Sequence, residues 1–308
     1  MSARFTVLTG GVGGAKLVDG LYRILPQNSL TAIVNTGDDF RHFGQPISPD
    51  IDTLLYTLSG KSNQALGWGR EGETWNFMAA LKSLGGEDWF NLGDGDLALH
   101  VLRGMALSAG EPLSGIIARF AEAWDLQLSI LPMTDDAVAT WVETDEGLLP
   151  FQRYFVERQC APKVQAVRFE GAAEAVPAPG VVAAIMDCDT VLVAPSNPWL
   201  SVDPLLAIPQ IRKALESTKA PVIAVSPLVE GKAVKGPTAK LMDELGLEVT
   251  NHSIAAHYGN LLDGLVVHNK DEAPQSVAIA RTDTLMKSPK DRERVARTVL
   301  ALAAECRR

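Results

Sequence analysis

Short apolar runs separated by polar turns organise the N-terminal part of this chain. Phe5-Thr6-Val7-Leu8 is a β-rich run, and Gly10-Gly11-Val12-Gly13-Gly14 follows at once. From Ala15 to Tyr22 the apolar positions change to helical spacing, with Leu17, Val18, Leu21 and Ile24 on one face before Pro26 and Asn28 close the helix. Thr31-Ala32-Ile33-Val34-Asn35 then reads as a second strand. Strand, turn, helix and strand make one βαβ unit, which predicts a parallel sheet with right-handed crossovers. Further helices are expected over 50–58, 74–84, 96–109 and 114–124, the first with Ser48 or Asp50 as a cap and Pro49 in its first turn.

The pattern changes over about 126–175. Runs at 127–131, 138–143, 154–158 and 164–169 are short and strand-like, and acidic turns at Asp135-Asp136 and Asp145-Glu146-Gly147 separate them. This stretch is expected to form an antiparallel or mixed insertion. A small connector with two prolines leads back to the earlier pattern at Val181. Thr190-Val191-Leu192-Val193-Ala194 and Pro221-Val222-Ile223-Ala224-Val225 are apolar throughout, helices are expected over 209–217 and 237–245, a late strand at 265–268, and a terminal helix over 290–306. Strands without alternation imply a sheet covered on both faces. The chain therefore reads as one α/β domain over 1–308 with the insertion inside it.

Composition narrows the class. The 308 residues are 46% hydrophobic and 21% charged, ordinary values for a globular protein, and no apolar run approaches the length that crosses a bilayer. The formal net charge of −9 argues against a nucleic-acid partner, while leaving single nucleotides open. Cys160, Cys188 and Cys306 are odd in number and far apart, so neither a disulfide framework nor a Cys-x-x-Cys metal site is expected. With no signal-peptide layout before the first strand, a cytoplasmic, reducing setting is the simplest expectation.

The polar motifs fall after the predicted strands, where ligands sit in open α/β sheets. The glycine segment lets backbone N–H groups approach a phosphate at a helix N-terminus, although Lys16 fits neither a Walker loop nor the dinucleotide fingerprint. Asn35-Thr36-Gly37-Asp38-Asp39 leaves the second strand, and Ser48-Pro49-Asp50-Ile51-Asp52-Thr53 opens a helix. Carboxylates gathered at strand and helix ends suit a hard cation such as Mg2+. The bland alternative makes Asp38 and Asp39 turn formers and Asp50 a cap. Asn91-Leu92-Gly93-Asp94-Gly95-Asp96 lacks the glutamate of a calcium loop; Asp96 is read as a cap for the helix carrying His100. Pro195-Ser196-Asn197-Pro198 ends one buried strand and Ser226-Pro227 another. Trp68, Trp75 and Trp89 are expected to be core residues rather than stacking platforms.

Taken in order, these motifs resemble the 2-phospho-L-lactate transferase family: Gly-Gly-Val-Gly-Gly-Ala-Lys, Asn-Thr-Gly-Asp-Asp, Ser-Pro-Asp-Ile-Asp-Thr, Leu-Gly-Asp-Gly-Asp-Leu-Ala-Leu-His, Pro-Ser-Asn-Pro and Ser-Pro. The match runs from about residue 4 to about residue 270. It implies a Rossmann-like three-layer αβα sandwich with a mainly parallel sheet, a homodimer and Mg2+ dependence. It also implies attack by the ribityl hydroxyl of the deazaflavin Fo on the distal phosphate of a guanosine diphosphate ester, with GMP leaving, in coenzyme F-420 biosynthesis. The ester's acid is lactate, enolpyruvate or a glycerate type. On this resemblance Asp38 and Asp50 hold the metal. Gly11, Gly13, Gly14, Lys16, Asn35, Thr53, His100, Ser196, Asn197 and Ser226 belong to the nucleotide and substrate cleft, and Asp39 or Asp52 takes the hydroxyl proton.

Two other readings compete. A related family of sugar-nucleotide-binding regulators shares the glycine-rich start and the Asp-Asp pair, but follows it with a Gly/Ser-rich loop containing Arg. Here Phe40-Arg41-His42-Phe43-Gly44 stands in that place. An NAD-dependent dehydrogenase conflicts with the broken fingerprint.

Overall fold

The computed structural model describes residues 3–233 and 237–306, without the side chains of 232 and 233. Its centre is a seven-stranded sheet, labelled β1 to β7 in chain order: Phe5–Thr9, Leu30–Val34, Ser129–Pro132, Thr190–Val193, Val222–Val225, Gly264–His268 and Ala278–Thr282. The spatial order is β7-β6-β5-β4-β1-β2-β3 and every pairing is parallel. From β1 the chain moves outward to β3, then returns to the far side of β1 and moves outward again. The switch point therefore lies between β1 and β4, where Leu8 stands opposite Val193.

Continuous apolar strands carry this arrangement. β4 and β5 are buried at every position, because helices cover both faces. One face packs Leu8, Ile33 and Val193 with Trp199, Leu205 and Ile211. The other packs Val7, Ala32, Val34 and Leu192 with Leu17 and Leu21 of helix α1 (Gly11–Ile24), with Ile51 and Leu55 of α2 (Pro49–Leu58), and with Val295 and Val299 of the terminal helix Pro289–Cys306. The result is the expected three-layer, Rossmann-like αβα sandwich. Among the described residues no helix is long and apolar enough to cross a membrane, and the three cysteines are free thiols.

The insertion differs from expectation in two places. The strand expected at 127–131 is β3, an edge of the main sheet, where Ala32 of β2 stands opposite Ile130. Only Ala139–Thr144, Gly147–Pro150 and Val164–Glu170 form the separate antiparallel sheet. The run at 154–158, expected as a strand, is a short π-helix over Arg153–Glu157. Its partners are four residues apart: Phe151 stacks on Phe155 at 5.3 Å, and Arg153 pairs with Glu157 at 3.1 Å. Those contacts require helical backbone, whatever the β propensity of Tyr154, Phe155 and Val156.

Candidate functional site

The carboxyl ends of β1, β2 and β4 open into one cleft of about 620 Å³. Immediately after β1, α1 begins without an intervening loop, so the glycines expected as a phosphate loop form its first turn. Gly11 has φ +62°, a value few side chains tolerate. A Cβ on Gly13 would lie 2.6 Å from the Pro195 carbonyl oxygen, so glycine there lets the turn after β4 close on the helix. Gly11, Gly13 and Lys16 line the cleft; Gly14 is buried behind them.

Asp38 follows β2, and Asp50 lies in the first turn of α2. Neither Ser48 nor Asp50 caps that helix as expected. The Ser48 hydroxyl donates to Asp39 Oδ2 at 2.6 Å. Asp50 Oδ1 accepts the Gly11 N–H at 2.7 Å, and its Oδ2 accepts from Asn35 Nδ2 at 3.1 Å. Asn35 is fully buried and its Oδ1 accepts the Gly37 N–H at 2.8 Å, so it joins the β2 turn to α2 from behind the cleft. Asp38 Oδ1 is buried with no hydrogen-bond partner. Burial and the neighbouring Asp50 raise the Asp38 carboxyl well above its usual range. Burial pushes Asp50 up to about 6 against the pull of Gly11 and Asn35. Two like charges in a dry site are the arrangement a cation relieves.

Asp52, two positions further along α2, is compensated. Both its oxygens accept from Arg103, Oδ2 at 3.2 Å from Nη1 and Oδ1 from Nη2. Arg103 is wholly buried on helix α4 (Asp94–Ser108), after α3 (Asn76–Ser83), and also donates to the Pro46 carbonyl at 3.2 Å. His100 Nδ1 lies 3.7 Å from Asp52 Oδ2, and its Nε2 lies 3.1 Å from Asp96 Oδ2. The Tyr56 hydroxyl donates to Asp96 Oδ1. Burial would raise Asp96, yet bonds from His100 and Tyr56 hold it below its usual value. Asp96 is thus no cap. Asp94 caps α3 instead, accepting the Asn76 and Phe77 N–H groups at 3.1 and 3.0 Å. The sequence reading missed Arg103 and Tyr56. The signal was the Asp96, His100, Arg103 spacing, which puts all three on one face of a helix.

The other expected residues divide by what their atoms already do. Asp50, Asp52, Thr53 and His100 line the cleft together with Ser196, Asn197 and Ser226. Ser196 Oγ donates to the Gly10 carbonyl at 2.5 Å. Asn197 Oδ1 caps the short helix after β4, accepting Trp199 and Leu200 N–H groups at 3.0 and 3.2 Å, which leaves its Nδ2 buried and without a partner. Ser226 Oγ donates to Asn251 Oδ1 at 2.6 Å. Asp39 does not line this cleft, although its carboxyl lies within electrostatic reach of Arg103, Asp52 and Asp50. It lines an adjacent cavity of about 740 Å³ that meets the cleft at Asp38, Phe151 and Gln152. Asp135, read as a structural turn residue, accepts the Ser114 N–H at 2.6 Å. The tryptophan expectation fails: Trp68 and Trp75 are 47% and 39% exposed and line the cleft.

Which residues suit a divalent cation follows from this geometry. Asp38 and Asp50 present converging carboxylates with an unpartnered oxygen, whereas among the described residues no group of three or more histidine, cysteine or acidic side chains forms a cage. A two-carboxylate site fits a cation that completes its shell with water and substrate phosphates.

The family model for 2-phospho-L-lactate transferase CofD matches residues 5–305. A phosphoenolpyruvate transferase of Kitasatospora aureofaciens is 40% identical over 99% of both chains. One from Streptomyces coelicolor is 40% identical with the same coverage. Another, from Mycolicibacterium smegmatis, is 38% identical over 97% of this chain and 98% of its own. The solved structure of a UPF0052 family protein from Bacillus halodurans matches with a TM-score of 0.64 at 17% identity, covering 97% of this chain and 99% of that one, a likeness of fold.

Proposed function

The chain belongs to the 2-phospho-L-lactate transferase family, and from that premise we propose that it moves a phosphoenolpyruvate-type group from a guanosine diphosphate ester to the ribityl hydroxyl of the deazaflavin Fo, releasing GMP, in coenzyme F-420 biosynthesis. The relatives' name, phosphoenolpyruvate transferase, favours enolpyruvate over lactate or glycerate as the acid on the donor. The observation that carries the reading is the buried Asp38 and Asp50 pair beside the N-terminus of α1, within one cleft.

The ribityl oxygen attacks the distal phosphorus, and the bond from that phosphorus to the oxygen bridging to GMP breaks. GMP leaves with the electron pair, and the hydroxyl gives up its proton. Such transfers depend on positioning and charge neutralisation more than on covalent help. The N–H groups of the first α1 turn beyond Gly11, whose own N–H is taken by Asp50, and Lys16 orient the diphosphate. Asp38 and Asp50 would hold Mg2+, which when bound neutralises diphosphate oxygens and the charge growing on GMP. Of the two carboxylates expected to take the proton, Asp39 faces the second cavity and Asp52 is bound by Arg103 at both oxygens. Asp52 therefore serves in this reading to position α2, and the proton leaves late, to phosphate oxygens and solvent.

Incubation with Fo, Mg2+ and guanosine diphosphate esters of enolpyruvate, lactate and glycerate, followed by mass analysis, tests the reading. GMP release with an Fo-linked phosphoenolpyruvate product, fastest for the enolpyruvate donor, is expected. No product from any donor, together with tight UDP-sugar binding, would overturn it in favour of a regulator.

A further inference from the structure

The second cavity, of about 740 Å³, touches the cleft at Asp38, Phe151 and Gln152. Strand Ala139–Thr144 of the insertion sheet supplies part of its wall. The Thr140 N–H donates to the Gly37 carbonyl at 2.7 Å, and Gln152 Nε2 donates to the Asp38 carbonyl at 3.3 Å. These bonds join the insertion to the turn that carries Asp38, so the cavity begins beside that residue. Its lining is unsatisfied. Trp141 Nε1, Thr140 Oγ1, His42 Nε2 and Asp39 Oδ1 are buried with no hydrogen-bond partner, and all four residues line the cavity. Thr140 and His42 are 3% and 5% exposed. Buried polar atoms are nearly always paired, with protein, water or a ligand. Four of them in one chamber call for an occupant with hydrogen-bonding groups. The indole N–H can only donate, the hydroxyl can donate, and the imidazole nitrogen takes either role. Asp38, Asp39 and Glu87 share the lining with Arg41 and Arg153, so a divalent cation on Asp38 turns the chamber's charge net positive. Arg153 is fixed at the wall, 4.3 Å over the Trp89 ring and 2.8 Å from Glu87.

We propose that this cavity seats the acid of the donor, its carboxylate accepting from Trp141 Nε1 and the Thr140 hydroxyl, an inference that rests on the transferase reading above. In that reading the distal phosphate is held at Asp38 and Asp50, and the acid is one ester oxygen away from it. The attacking hydroxyl and the departing GMP lie in line through the phosphorus. The acid is therefore off that line, to the side, and the second cavity opens to the side at Asp38. A three-carbon acid leaves room there for water to pair with Asp39 and His42.

Calorimetry in Mg2+ without Fo, so that no transfer occurs, tests the seat with three probes. They are the guanosine diphosphate ester of enolpyruvate, GDP, and GDP carrying a methyl ester on its distal phosphate. Thr140→Val and Trp141→Phe keep most of each side chain and remove the donor. Each is expected to raise the dissociation constant of the enolpyruvate ester about tenfold or more, the loss for a hydrogen bond to a charged group. Affinity for GDP and for the methyl ester should stay within about twofold, which also shows that the variants fold. Unchanged affinity for the enolpyruvate ester in both variants overturns the seat and leaves the cavity to water. Equal weakening of the methyl ester overturns it as well, because the two residues would then act on the phosphate. Wild-type turnover with Fo is measured alongside. If wild type turns over and both variants bind the enolpyruvate ester normally, the seat alone falls; if wild type binds none of the guanosine probes, the transferase reading falls with it.

Discussion

Asp50 and Asp52 share the first turn of α2 and are both buried, yet their surroundings are opposite. Asp52 faces a guanidinium with ideal chemistry for a carboxylate and belongs to a network with His100, Asp96 and Tyr56. Asp50 faces another acid, Asp38, and takes its donors from a backbone N–H and an amide. A buried charge is tolerable when paired and unfavourable when left alone. The balanced network ties α2, α4 and the Pro46 carbonyl together, so it sets where Asp50 stands. The unbalanced pair keeps a buried Asp38 oxygen without a hydrogen-bond partner. One region builds the site, and the other holds the unfavourable charge that an incoming cation would relieve.

The strongest way to break this contrast is Asp50→Asn. Asparagine keeps an acceptor for the Gly11 N–H but removes a charge, so turnover should fall on the order of a thousandfold. The same change removes like-charge repulsion, and the thermal midpoint in EDTA should hold or rise. Near-normal GMP release at saturating Mg2+, or a marked drop in midpoint, would contradict the assignment. The opposite pattern is expected for Arg103→Leu. Removing the guanidinium leaves Asp52 buried and uncompensated, which should lower unfolding free energy by about 3–5 kcal/mol in urea titrations. Adding Asp52→Leu to that variant should recover most of the stability, because an apolar pair of similar volume has no charge left to desolvate.

The contrast was only half legible in the sequence. Strands β1, β2, β4, β5 and β6 announce themselves as apolar runs, and the turns after them carry the polar motifs, so the sheet and the approximate cleft follow from pattern alone. β7 did not, because Ala278–Thr282 is an edge strand with mixed burial and an arginine at its fourth position. The cluster Asp38, Asp50, Asp52 was visible as residue types, but not which carboxylate would be compensated. That depends on Arg103, about fifty residues away, reaching across from α4. The tryptophans were misread because hydrophobicity predicts burial only on average. Segment 59–75 holds Trp68 and Trp75 at the cleft through backbone and carboxylate anchors that no periodicity encodes.

The smallest expected effect, and the one that separates the two acids most cleanly, is the pH dependence of stability without divalent cations. Asp50 is raised from 3.8 to about 6, so the folded state holds a proton that the unfolded chain releases. Its contribution is therefore most favourable below pH 4 and declines as pH rises through 4–6, by on the order of 2–3 kcal/mol at most. Asp38 acts in the same direction. Asp96 is shifted the other way, so its contribution is complete above its unfolded value and is lost as pH falls through its depressed one. Urea titrations in EDTA should thus show stability falling as pH rises from about 4 toward 6, and falling separately in strong acid. Added Mg2+ should restore the neutral limb, because a cation seated on Asp38 and Asp50 favours their charged forms. It should leave the acid limb unchanged, since the Asp96 network needs no metal. A neutral limb that is flat in EDTA would mean that Asp38 and Asp50 are already compensated, and the distinction between the two regions would no longer hold.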